Sequence, residues 1–294
     1  MSLSARLSQW AKRKNVRSLH IRAIIAHTCA RLVPAMAVNS PIGETDREFV
    51  SALARGLSVI RAFGKDQPVM TVSEIAKAID ASRAVARRFL LTLQALGYVD
   101  SDGRSYRLSA KTLDLAYAYL DSHDWLSIVS PQLEKLKNDL GESVSLTVLD
   151  GPEVVYLLRF RSSRVMTLSI EVGSRRPAYA TAMGRVLIGE MEDADARRIL
   201  DKSELRQHTP RTIVDKHALL EECHKAHVRG YAAVDQELED GLVAVSVPLR
   251  NSRGALLAAV NVCGHSSYLT IENLKTRCLP ALRECTRRIS QTLI

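Results

Sequence analysis

The chain has little of what builds disulfide scaffolds, metal clusters or membrane spans. Its 294 residues include five cysteines, Cys29, Cys223, Cys263, Cys278 and Cys285. That odd number, with no CxxC pair, argues against a disulfide framework and for a reduced, cytoplasmic setting. Aromatic residues make up only 5% of the sequence, and the aromatic pattern of an RNA-recognition motif is missing. No stretch approaches the roughly 18 apolar residues of a membrane helix. Residues Ile21 to Val38 follow the basic Lys12-Arg13-Lys14, but His27, Arg31 and Pro34 break their apolar character, which disfavours a secretory signal. GxSxG, GxGxxG and the phosphate-binding P-loop pattern are absent, and so are internal repeats and low-complexity tracts.

What is present is basic charge, unevenly placed. The net charge is +9. Residues 1–44 hold seven basic and one acidic side chains, residues 45–109 ten and seven, and residues 110–294 twenty-four of each. The excess lies wholly in the first third, as an electrostatic footprint for nucleic acid would require. Residues 1–44 are expected to be a basic arm without fixed structure.

Within that basic third, Thr71 to Asp80 reads as a short amphipathic helix with Ile75, Ala76 and Ile79 inward. After a tight turn, a second helix opens on Ser82-Arg83, with Phe89, Leu90, Leu93 and Leu96 on its inner stripe. Gly97 ends it, because glycine takes the left-handed cap conformation without strain. Tyr98 to Leu108 reads as a hairpin around Asp102-Gly103. Helix, turn, helix and basic-tipped hairpin make a winged DNA-binding module, and its scaffold helix is Val50 to Phe63, with Leu53, Leu57, Ile60 and Phe63 on one face.

The candidate DNA contacts follow from position. Ser82 is an N-cap that can donate to phosphate. Arg83 and Ala84 lie where a base edge is first reached, Arg87 lies one turn on and Arg88 at the groove wall. Thr71 and Ser73 open the supporting helix and can hold phosphate, and Arg104 lies in the wing. An isolated arginine pair is ordinarily a solvated helix face. On the second helix of a complete winged arrangement it points to double-stranded DNA.

Ser109 to Ser122 reads as a linker helix, apolar nearly all round and so in need of more than one partner. Beyond it the pattern is mixed. Helix Ile128–Leu140 leads to strands Ser143–Leu149, Val154–Phe160 and Val165–Ile170. Helices Thr181–Glu190, Asp193–Leu200 and Asp215–Val228 follow, then strands Tyr231–Val234, Val243–Leu249 and Leu256–Val262, then helix Ile271–Leu293. Short turns between consecutive strands predict an antiparallel sheet with helices on its faces. The domain division expected is 1–44 arm, 45–109 winged helix-turn-helix, 110–124 linker helix and 125–294 second domain, an α+β chain overall.

Leu53-Ala-Arg-Gly-Leu-Ser-Val-Ile-Arg-Ala-Phe63, the helix-turn-helix Thr71–Leu91, Arg176 to Gly189, Arg229-Gly-Tyr231, Asp235 with Glu239-Asp-Gly-Leu242, Val245 to Leu249 and Ala258 to Val262 together resemble the IclR family of bacterial transcription regulators. The resemblance covers about residues 47–294. Ser82 to Leu93, Pro177 to Gly184 and Leu279 to Leu282 are most similar to its branch for aromatic-acid catabolism: the protocatechuate, p-hydroxybenzoate and β-ketoadipate pathways. Ala180, Ala182 and Cys263-Gly-His depart from that branch.

The resemblance implies a GAF-like C-terminal domain that binds a small organic acid. By matching positions, the pocket would be lined by Ala182, Met183, Asp235, Ala244, Asn261 and Cys263. The helix start at Thr181–Gly184 would offer N–H groups to a carboxylate, and Asn261 a further donor. The plain alternative makes Met183, Ala244 and Cys263 ordinary core. The protein would be an effector-controlled regulator binding a pseudo-palindromic operator as a homodimer or homotetramer, with no cofactor, no metal and no membrane. A competing reading is a hydrolase or isomerase with an accessory DNA module. His217, His224 and His227 around Cys223 lack a second ligand pair at recognised spacing, and Cys263 with His265 lacks an orienting acid, so neither group makes a metal centre or a nucleophilic site.

Overall fold

The computed structural model describes residues 46–162 and 170–293. The arm 1–44 and nearly all of the strand expected at 165–170 lie outside these residues. The chain divides between Asp114 and Leu115, inside the linker helix.

The first unit contains α1 (Ser51–Ala62), β1 (Val69–Thr71), α2 (Val72–Ala78), α3 (Arg83–Ala95), β2 (Val99–Ser101) and β3 (Ser105–Leu108). Val59, Phe63, Met70, Ile75, Ala86, Leu90 and Tyr106 form its core. Two inward assignments do not hold. Leu53 and Leu57 are 63% and 49% exposed, because the side of α1 that carries Val59 is the one turned inward; of the expected stripe, Phe63 is buried and Ile60 partly so. Leu96 is 54% exposed, since it caps α3 where the chain already turns away. The wing has three strands in the order β1-β3-β2, with Val69 opposite Arg107 and Val99 opposite Leu108. Gly97 takes φ +82° after α3, as the cap requires.

A 3₁₀ turn (Ala110–Thr112) leads into α4 (Leu113–Asp121), which crosses the division. The second unit continues with α5 (Trp125–Leu140), β4 (Ser143–Asp150), β5 (Glu153–Phe160), β6 (Arg175–Pro177), α6 (Ala182–Gly189), α7 (Asp193–Lys202) and α8 (Lys216–Arg229). Then come β7 (Ala232–Asp235), β8 (Leu242–Arg250) and β9 (Leu256–His265). The C-terminal helix starts as α9 (Ile271–Asn273), passes through a π turn at Leu274–Cys278 and continues as α10 (Leu279–Thr292). The sheet is antiparallel, in the order β6-β5-β4-β9-β8-β7.

Alternation sorts the sheet into two faces. Val144 and Leu146, Val245 and Val247, and Val260 and Val262 face α5 and α10. The opposite face carries Ser145 and Thr147, Ala244 and Ser246, and Ala259, Asn261 and Cys263, and it meets α6. Small residues let α6 sit close. A Cβ on Gly184 would stand 2.1 Å from the Ala178 carbonyl oxygen. Arg185 of α6 is buried and forms a bidentate ion pair with buried Glu237, at 2.7 and 2.5 Å. Glu237 also accepts from the Ile213 N–H, so the pair ties α6 to two loops.

Among the described residues no helix is long and apolar enough to cross a membrane.

Candidate DNA-binding and effector sites

The start of α3 presents a cationic edge. Ser82 caps the helix, accepting from the Val85 N–H at 3.3 Å, and its own hydroxyl proton remains available. Arg83, Ala84, Arg87 and Arg88 are all exposed. Among the described residues none of the three guanidiniums has an acidic partner, although exposed arginines elsewhere, such as Arg198 and Arg206, do.

Thr71 and Ser73 are exposed at the start of α2. Thr71 is committed to a capping box: its N–H and hydroxyl both donate to Glu74 Oε2, at 2.7 and 2.8 Å, and its Oγ accepts from the Glu74 N–H. The bonds from the Thr71 backbone and side chain lower the Glu74 pKa. That carboxylate leaves Thr71 a weaker phosphate ligand than its position alone implies. Ser73 keeps its hydroxyl outside the box. In the wing, Asp102 Oδ1 accepts from the Arg104 and Ser105 N–H groups at 2.9 and 2.7 Å, which tightens the turn and leaves the exposed Arg104 side chain at its tip.

In the second unit, Ala182, Met183, Ala244, Asn261 and Cys263 line one cavity between α6 and the sheet. Asp235 is not with them. Its carboxylate pairs with Arg211 and accepts from Gln236, because it ends β7 beside the 236–242 loop, and Val234 takes the lining position. Thr181 caps α6 by accepting from the Gly184 N–H at 3.1 Å, and Thr181, Ala182 and Met183 at this helix start line the cavity.

Two polar side chains that alternation does not reveal complete the lining, Tyr156 and Arg159 of β5. They stand three apart and so should face opposite ways. The register jumps between them: Thr147 pairs with Tyr156 and Leu146 with Leu158, leaving Leu157 as an extra residue. This bulge returns Arg159 to the face of Tyr156. The adjacent apolar pair Leu157-Leu158, both packed into the other core, is the sequence signal for it.

Arg159 Nη1 donates to Ser145 Oγ at 2.7 Å and to Cys263 Sγ at 3.4 Å. Its buried Nε has no partner, and the same holds for Oδ1 of Asn261, a residue only 2% exposed. Burial by itself lowers the Arg159 pKa, but Cys263, Tyr156 and Glu171 together raise it, so the guanidinium stays charged. Burial likewise raises the Tyr156 pKa, keeping the phenol protonated. The cavity volume is about 20 Å³, room for roughly one water, so a ring-sized guest requires side chains such as the flexible Met183 to move.

A larger cavity of about 480 Å³ lies between α4 and the β4–β5 strands, but its charged residues, Asp150 and Arg175, already pair with each other. The unpartnered buried atoms of Arg159 and Asn261 belong to residues that line the smaller one.

The histidines of α8 are otherwise engaged: His224 meets Asp193 at 2.8 Å, His227 meets Glu190 and His217 meets Glu221. Cys223 is buried, its thiol pushed up to about 12 by desolvation. His265 meets Ser267 rather than Cys263.

Comparison with known proteins fits this geometry. Residues 52–103 match the IclR helix-turn-helix domain, and residues 117–291 match the bacterial transcriptional regulator IclR C-terminal domain. The chain belongs to the IclR family. This IclR-family chain is 36% identical to the Pca regulon regulatory protein of Pseudomonas putida, over 88% of its own length and 89% of the relative's. It is 32% identical to the p-hydroxybenzoate hydroxylase transcriptional activator of Acinetobacter baylyi, over 82% and 91%. A crystal structure of the PobR inducer-binding domain from Acinetobacter, a double mutant in complex with 3-hydroxybenzoic acid, matches with a TM-score of 0.53 and 27% identity, over 57% of this chain and 98% of that one. Family membership makes this chain a DNA-binding transcriptional regulator rather than an enzyme.

Proposed function

We propose that this regulator works in the cytoplasm as a homodimer or homotetramer on a pseudo-palindromic operator, and that a small aromatic acid held between α6 and the sheet controls its DNA binding or its activation of transcription. Arg83 and Ala84 read bases. Ser82, Arg87, Arg88, Ser73 and, more weakly, Thr71 hold phosphates, and Arg104 reaches the backbone from the wing. Ala182, Met183, Ala244, Asn261 and Cys263 surround the acid.

The observation that carries the effector reading is the cavity itself. It joins unpartnered buried polar atoms of Arg159 and Asn261 to a free helix N-terminus and an apolar wall. The 3-hydroxybenzoic acid complex of the Acinetobacter domain supports an aromatic acid as the guest. Such a guest acts only by binding two states of the regulator unequally.

The test is a titration of the full chain against its own promoter, with and without 3- or 4-hydroxybenzoate. A salt-sensitive complex is expected whose affinity or promoter opening changes with the acid. A complex indifferent to both acids, with neither acid bound, would sink the effector reading.

A further inference from the structure

We infer that Arg159 is the residue that takes the effector's carboxylate, and that it sets the preference of this pocket for acids over neutral molecules of the same shape. The inference rests on the effector reading above and names the charged partner that reading requires.

Three observations carry it. Among the described residues, no carboxylate lies within ion-pair distance of Arg159, whereas the buried cation of α6 itself, Arg185, is matched by Glu237. The contacts that Arg159 does make, to a serine hydroxyl and a thiol, are neutral acceptors that a carboxylate outcompetes. The register also aims it. Arg159 pairs with Ser145, and Ser145 with Asn261, so the guanidinium and the amide stand in one row across three strands, on the cavity face.

The two ends of that row differ in chemistry. Asn261 is neutral, and its unpartnered buried Oδ1 suits a hydroxyl donor. The carboxylate therefore belongs at the Arg159 end, where the guanidinium and the first-turn N–H groups of α6 both favour negative charge. A hydroxyl elsewhere on the ring can then satisfy Asn261. On binding, Arg159 exchanges Ser145 and Cys263 for the ligand, so β4 and β9 lose a cross-strand tie as the site fills.

Calorimetry of the full chain with 3-hydroxybenzoate and with its uncharged isostere 3-hydroxybenzamide tests this. The wild-type chain should prefer the acid, and Arg159→Gln should lose about 10- to 100-fold in acid affinity, as expected for a charge-assisted contact. Amide affinity should change by less than about threefold, so the preference collapses. If Arg159→Gln fails to fold, Arg159→Lys, which keeps the cation, should still favour the acid, although more weakly. An unchanged acid-to-amide ratio in Arg159→Gln, or a lost preference in a folded Arg159→Lys, overturns the inference and leaves the effector reading standing. A wild-type chain that binds neither 3- nor 4-hydroxybenzoate overturns both.

Discussion

At the scale of the residue, an arginine's role follows from what already satisfies it. Arg185 is buried and bidentate to Glu237, so its charge is already matched. Arg83, Arg87 and Arg88 are exposed and, among the described residues, have no acidic partner, so they have charge to spend on DNA. They are not equivalent. On the proposed reading Arg83, in the first turn of α3, meets a base edge, so Arg83→Ala should cost about 1–3 kcal/mol on the operator while flattening discrimination against scrambled sequence. Arg88→Ala, at the groove wall, should weaken both sequences alike and reduce the salt slope by about one. Fluorescence anisotropy on the two duplexes at several salt concentrations separates these outcomes, and equal losses on both duplexes for Arg83→Ala would make it a phosphate contact. These exposed arginines were legible in the sequence because residue type, spacing and cap all agree. Asp235 was not: family position placed it in the pocket, but local geometry gives its charge to Arg211.

At the scale of the element, period and capping located the helices and most strands, and what they missed comes from rule-breaking segments. β1 is three residues between Pro68 and a helix, too short for any alternation to show. The Leu157 bulge inverts strand parity and so hid Arg159. The π turn at Leu274–Cys278 adds a residue to a helix that otherwise reads as continuous. α6 shows the opposite case, a segment whose composition has one physical meaning. Gly184 and Gly189 lie against backbone: a Cβ at Gly184 would be 2.1 Å from the Ala178 carbonyl oxygen, and one at Gly189 would be 2.3 Å from that of Cys223. Gly184→Ala must shift α6 against main chain that cannot swing aside, and should destabilise the second domain by about 1–3 kcal/mol. For a domain of this size each kcal/mol lowers Tm by about 2–4 °C. Gly64→Ala, where a Cβ meets nothing within 4 Å and φ is ordinary, is the matched control. Scanning calorimetry of the two variants decides it, and a Gly184→Ala transition at the wild-type temperature would show that α6 has slack.

At the scale of the whole molecule, the apolar residues left in water need a partner. Leu53 and Leu57 on α1 are 63% and 49% exposed, and Leu113 and Tyr117 on α4 are 69% and 68% exposed. Such clusters mark contact surfaces more often than chance exposure. On the proposed reading a second copy covers them, because a pseudo-palindromic site and a two-fold dimer impose the same symmetry. The sequence left the linker helix in need of more than one partner but assigned Leu53 and Leu57 to the core, since a helical stripe does not say which of two faces is inside. Joining two half-site readers makes the second binding event intramolecular and raises affinity by about 10²–10⁴ without any new DNA contact. Leu57→Glu should therefore leave the fold intact, since the side chain touches solvent, yet convert the chain toward monomer in sedimentation. Its affinity for the full operator should fall by at least about 10² at unchanged affinity for an isolated half-site. If sedimentation and full-site affinity both matched the wild type, α1 would have no part in pairing.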